Sequence, residues 1–226
     1  MGAKTSMLMY AAGDVRAALK GGPVLDRAAT RAFVARLHPR HELTDLDDGT
    51  LWDDVNPPKG RVYAACFDGL TVLCTSEVGI DHPSRIDRRF VDVAEGRTVT
   101  LHAMHSVVDW FAYAIWRGGA LTRALSLSPD SGVLENVGEP LPFERPYWAG
   151  ERPLERDPDE PPYPLAFHPL ELAEDALRAL FGFTYEGATQ PDDPDLESIP
   201  LAGFAVQSTS GWRGLVSALR GKGKNG

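Results

Sequence analysis

The sequence predicts an α+β fold, with mixed α/β left open as the alternative. It would be a mixed or antiparallel sheet around a central buried hairpin, with helices packed on the sheet. Three observations carry this. The longest unbroken apolar region, Thr98 to Ser128, reads as a strand followed by a strand hairpin. Two further hairpin or strand signals, Arg61 to Thr75 and Lys4 to Ala11, carry branched and aromatic residues between turn residues. Capped helical patterns with one apolar stripe separate these runs.

Within the central region Trp110, Ala112, Ala114 and Trp116 fall on one alternation, and Phe111, Tyr113 and Ile115 on the other. A strand apolar on both faces is an interior strand with cover on both sides. Gly118-Gly119 suits a two-residue turn. That turn sets Trp116 against Leu121, Ala112 against Leu125 and Trp110 against Leu127.

In chain order, Lys4 to Ala11 is a strand, and Asp14 caps a short helix ended by Gly21-Gly22-Pro23. Asp26 caps a second helix whose Ala29, Phe33, Val34 and Leu37 share a face, stopped by Pro39. His41 to Leu46 is a short strand, and a helical turn surrounds Leu51-Trp52. Asp68-Gly69 joins Arg61 to Phe67 and Leu70 to Thr75, so Cys74 faces Tyr63 and Cys66 faces Thr71. Offset in this way, the two thiols are expected to be free and interior.

Pro83 to Ala94 reads as a helix presenting Ile86, Phe90 and Val93. Val133 to Val137 is a short strand. Gly138 to Trp148, with Pro140, Pro142 and Pro146, should be extended. His168-Pro169 opens a helix with Leu170, Ala173, Leu177, Leu180 and Phe181 as its stripe, ended by Gly182. Ile199 to Val206 is a last strand, placed at the edge by Pro200.

Residues 1–206 are expected to form one globular domain, with flexible acidic or proline-rich loops at 151–164 and 187–198. Residues 207–226 form a basic, glycine-rich tail. Trp212, Leu215, Val216 and Leu219 fall at helical spacing there, but so short a helix is marginal in water, so disorder is expected.

The 43% apolar content supplies a sizeable core. A formal charge of −9 opposes nucleic-acid binding. No apolar run approaches the ~20 residues that span a bilayer. SMLMYAA is too short and too weakly basic for a signal peptide, so the protein is read as cytoplasmic. No phosphate loop, Cys-x-x-Cys pair or calcium-loop spacing occurs, and neither a cofactor nor a metal is expected.

His102, His105 and Asp109 are the candidate acid–base or metal cluster, with His168 as a further catalytic candidate. Spacing of three gathers ligands on a helix but places them on opposite faces of a strand, so convergence needs a bend near Met104 to Ser106. Structural histidines at a strand end are the other reading. His168 and Glu171 share a helix face, which capping explains without chemistry. Asp130-Ser131-Gly132 lacks a nucleophile elbow and is a turn. Tyr147-Trp148 either cover the sheet or join His105, Asp109 and Trp110 in a binding surface.

The phrases MGAKTSMLMYA, LHAMHSVVDWFAYAIW, SLSPDSGVLENVGEPLPFERPYWAGE and PLAFHPLELAEDALRALFGF resemble a family of uncharacterised, mostly actinobacterial proteins known only as a domain of unknown function. The resemblance runs from Met1 to about Val206 and implies no activity, cofactor or catalytic residue. The layout of an Asp-Trp strand, Gly-turn hairpin, GEPL phrase and late helix is also loosely similar to toxin-immunity proteins. Two functions follow as expectations. One is a non-catalytic binding domain for a protein partner or small ligand. The other is a hydrolase-like or metal-dependent enzyme using the His/Asp cluster.

Overall fold

The structure, a computed structural model, describes residues 2–154 and 163–208. Nearly all of the tail, expected from the sequence to be disordered, and most of the 151–164 loop therefore lie outside the described residues. The chain runs β1 (Lys4–Ala11), α1 (Val15–Lys20), α2 (Arg27–Leu37), β2 (His41–Asp45), β3 (Gly49–Thr50), β4 (Arg61–Phe67) and β5 (Leu70–Cys74). There follow α3 (Arg89–Asp92), β6 (Thr98–His105), β7 (Trp110–Arg117), β8 (Ala120–Ser128) and β9 (Gly132–Val137). The last elements are α4 (Arg145–Trp148), α5 (Pro169–Phe181) and β10 (Pro200–Ser208).

The strands make one sheet in the order β2-β10-β4-β5-β1-β6-β7-β8-β9, with β3 beside β10. All the pairings are antiparallel. This is a sheet-rich α+β fold in which helices are the minor part. The middle strand is β1, between β5 and β6, whereas the apolar hairpin β7–β8 sits toward one end.

Both faces are covered, as the double alternation in β7 requires. On one face Met7, Met9, Phe111, Tyr113, Leu125 and Leu127 pack under α5. On the other, Leu8, Tyr10, Leu101, Ala114 and Trp116 pack under α2 and α3. Asp14 and Asp26 each accept a backbone N–H at the start of their helices. Gly182, in the left-handed region, ends α5.

Several elements differ from expectation, each for a physical reason. The β7–β8 register holds for Trp116 and Leu121 and then slips. Tyr113 faces Leu125 and Phe111 faces Leu127, not Ala112 and Trp110. Thr122 is the extra residue, its hydroxyl donating to Ile115 O at 3.1 Å.

Pro83 to Ala94 is not one helix. Ile86 is extended (φ −55°, ψ 151°), which separates a short turn at Pro83–Arg85 from α3. Asp87 accepts the Arg89 N–H as that second turn begins. The break lets both Ile86 and Phe90 reach the core. Arg145–Trp148 forms a helical turn, with Pro146 at a first-turn position where its missing N–H costs nothing.

The buried stripe of α5 is Leu172, Ala173, Ala176, Leu177 and Phe181, with Leu170 and Leu180 only half-buried. β10 is no edge strand, because it lies between β2 and β4. Pro200 is its first residue and needs no ladder donor there.

The β4–β5 register is the one predicted: Tyr63 faces Cys74 and Cys66 faces Thr71. Both thiols are free. Thiol titration of the denatured protein without reductant is expected to count two groups. A count of zero in freshly purified monomer would contradict this register.

Candidate functional site

The strand ends that meet at the N-terminus of β1 build the site. β1 begins at Lys4, β6 ends at His105 and β7 begins at Trp110. In the ladder Lys4 is directly opposite His105, and His105 directly opposite Trp110. Cross-strand partners point to the same face, so these three side chains form one row. One row further in, the same face carries only Ser6, Ala103 and Ala112. Small side chains behind large ones leave a depression. Asn56, Ser76, Gly79 and Asp81 wall it, enclosing about 340 Å³.

The polar groups of this pocket are largely unspent. The Trp110 indole N–H is buried without an acceptor. Burial first, and the Lys4 charge second, hold the His105 imidazole below the ordinary histidine pKa. The exceptions are Ser6, whose hydroxyl donates to Thr75 O at 2.6 Å, and Thr5, whose hydroxyl lies 2.8 Å from His102 Nδ1. The turn joining β6 to β7 carries Val107 and Val108, which are 68% and 50% exposed, and Val108 lines the pocket.

The other candidates lie elsewhere, and the four catalytic candidates do not converge on one point. His102 and His105 are on opposite faces of a regular strand, because no bend intervenes. His102 is fully buried: its Nε2 lies 3.0 Å from Ala173 O and its Nδ1 2.8 Å from Thr5 Oγ1. The carbonyl requires the proton on Nε2, so Nδ1 accepts from the threonine hydroxyl. Burial depresses the His102 pKa to about 4.

The sign of the pH effect follows from that depression. The unfolded chain binds a proton near 6.5 and the folded one does not until about 4. The stability from neutral His102 is therefore complete above pH 6.5 and is lost as pH falls toward 4, in total roughly 3 kcal/mol. Its ring resonances should not titrate between pH 8 and pH 5. Titration near 6.5 in the folded protein would refute the buried placement.

Asp109 closes the β6–β7 turn in the left-handed region (φ 47°), which aspartate tolerates better than most residues. Its Oδ2 lies 3.7 Å from His168 Nε2, while His168 Nδ1 accepts the Leu170 N–H at 3.2 Å. His168 is thus the N-cap of α5. His168 and Tyr147 line a second depression of about 530 Å³ with Glu171, Glu174 and Asp175. Two of those acids are spent. Glu174 accepts the Tyr185 and Glu186 N–H groups, and Asp175 accepts the Tyr147 hydroxyl at 2.7 Å. Tyr147 is core, whereas Trp148 is 36% exposed and donates its indole N–H to Glu144 at 3.2 Å. Among the described residues no group of three or more His, Cys, Asp or Glu is arranged to hold a metal ion.

A buried polar network escaped the sequence reading. Arg123, in β8, is paired with Glu144, and both are fully buried. Arg123 also donates to Asn136 Oδ1 at 2.6 Å and to the carbonyls of Val137 (2.9 Å) and Gly138 (3.1 Å). Glu144 accepts the Leu141 N–H at 2.7 Å and the Tyr113 hydroxyl. Burial would raise the Glu144 pKa, but these bonds outweigh it and hold the carboxyl below its usual range. Gly138 (φ 80°) admits no side chain, since a Cβ would lie 2.2 Å from Thr122 O. The signal available in the sequence was an arginine inside the apolar run ALTRALSLS. Lys4, Asn56 and Asp81 were likewise missed as pocket residues, because nothing local marks them.

Fold and site together define a sheet-rich α+β protein with an unspent polar pocket at one end of its central strands. A family model covers residues 5–204, and the chain belongs to that family, a family of unknown function (DUF6928). No curated protein and no solved structure matches the chain. Among the described residues no helix is long and apolar enough to cross a membrane.

Proposed function

We propose that this protein is a non-catalytic, cytoplasmic binding domain that takes a small polar ligand in the Lys4–His105–Trp110 pocket. One observation carries the reading: a buried indole donor with no acceptor lines a concave site beside a lysine and a histidine. Buried polar groups are ordinarily paired, and an orphan in a cavity is what a ligand would satisfy. The fully buried charges of Arg123 and Glu144, by contrast, are matched to each other. Free thiols at Cys66 and Cys74 suit a reducing compartment.

Ligand that binds only the folded state raises stability by about 2.7 kcal/mol at a hundred times its Kd. A thermal-shift screen against small polar metabolites should therefore find compounds that raise Tm in the wild type and not in His105→Ala. A screen without a stabilising compound, or one whose compounds stabilise His105→Ala equally, would reject the pocket as the recognition site.

A further inference from the structure

The pocket's own chemistry narrows the ligand. The row Lys4, His105 and Trp110 presents an ammonium, an imidazole and an indole N–H. Lysine and the indole are donors only, and a neutral imidazole keeps one N–H. Among the described residues none of these three side chains is bonded to a carboxylate, so the row has donors in excess. The acceptors of the pocket, Asp81 and the Asn56 carbonyl, belong to its wall rather than to the row. Lys4 is near enough to lower the affinity of His105 for a proton. The row is thus a basic spot on a chain that carries −9 as a whole.

Resting on the binding reading above, we infer that the ligand carries an oxyanion, a carboxylate or a phosphate, seated against the cross-strand row Lys4–His105–Trp110. Hydrogen bonds to charged groups are roughly twice as strong as neutral ones, and an oxyanion offers enough lone pairs to meet three donors at once. Asp81 and Asn56 then face the remainder of the ligand, and they suit a hydroxyl or amine there. Val108, half-exposed, adds an apolar group to the lining.

The test uses the full-length protein and four probes: acetate, inorganic phosphate, acetamide and methylammonium. The readout is the Trp110 indole N–H cross-peak in ¹H–¹⁵N spectra, assigned by its loss in Trp110→Phe. Acetate or phosphate should move this peak saturably, and the better of the two separates a carboxylate from a phosphate ligand. Lys4→Gln, at an exposed position, should weaken that binding roughly tenfold or more while leaving the fold unchanged. Acetamide or methylammonium moving the peak as strongly as acetate would overturn the oxyanion and leave the pocket standing. Anion binding that is unchanged in Lys4→Gln would also overturn it. If no probe moves the peak and the metabolite screen is also empty, the pocket reading fails with it.

Discussion

Glu144→Ala is expected to cost about 3–5 kcal/mol of folding stability, read as a fall in the urea midpoint. The cost arises less from the lost attraction than from what remains. Arg123 would keep its charge in a site 1% exposed, with only neutral partners: carbonyls, an amide oxygen and the Tyr113 hydroxyl. The Tyr113 hydroxyl and the Leu141 N–H would also lose their acceptor. Removing both charges together is a different experiment. Arg123→Met with Glu144→Leu should recover much of the loss, because two well-packed apolar groups need no partners. The network also pins the segment from Gly138 to Trp148 against the hairpin, so the single variant should loosen Trp148 and change its fluorescence. A loss below about 1 kcal/mol for Glu144→Ala would mean that the pair is not buried as described.

Phe111→Ala should cost a similar amount, roughly 3–5 kcal/mol. Phe111 is fully buried, lies against His102 (5.3 Å between ring centroids) and stacks on Tyr113 at 5.7 Å. Truncation therefore opens a cavity in the layer between β7 and α5 and strips one wall from His102. Phe111→Leu keeps most of the volume and should cost well under half as much. Val107→Ala, four residues earlier and largely exposed, is the control and should stay within about 0.5 kcal/mol. Equal effects for Val107 and Phe111 would overturn the placement of Phe111 in the core and of Val107 in an exposed turn.

What was legible in the sequence was whatever a short stretch decides by itself. Lys4–Ala11 is bounded by its own pattern, Asp14 and Asp26 cap within three residues, and Asp68-Gly69 sets the β4–β5 register alone. The β7–β8 register failed at one residue, because a bulge at Thr122 leaves no mark in composition. The break at Ile86 was hidden for a related reason. Its apolar residues fit a helix, and only packing against the sheet asks Ile86 and Phe90 to reach inward from separate turns. The position of β10 was not legible either, since Pro200 argues for an edge only if its missing donor would face a neighbour.

The candidate site was half legible. His105 and Trp110 are five residues apart across a tight turn, and both were singled out. Lys4 stands about a hundred residues away, and only the pairing of β1 with β6 brings it alongside. Asn56 and Asp81 reach the pocket from two further loops. The acid–base grouping of His102 with His105 required a bend that the strand does not have.

The insertion of β10 between β2 and β4 has a bearing on how the chain is made. Among the described residues β2 pairs only with β10, and β4 has only β5 on its other side. A growing chain completes β4 at Phe67 and reaches Pro200 only after well over a hundred further residues. At about 5–20 residues per second that interval is on the order of ten seconds. Throughout it β4 presents an unpaired edge and β2 has no strand to join, the kind of edge that recruits foreign strands. Ribosome-bound fragments ending before residue 200 are therefore the forms of this protein most in need of a chaperone, and synthesis of β10 closes the sheet.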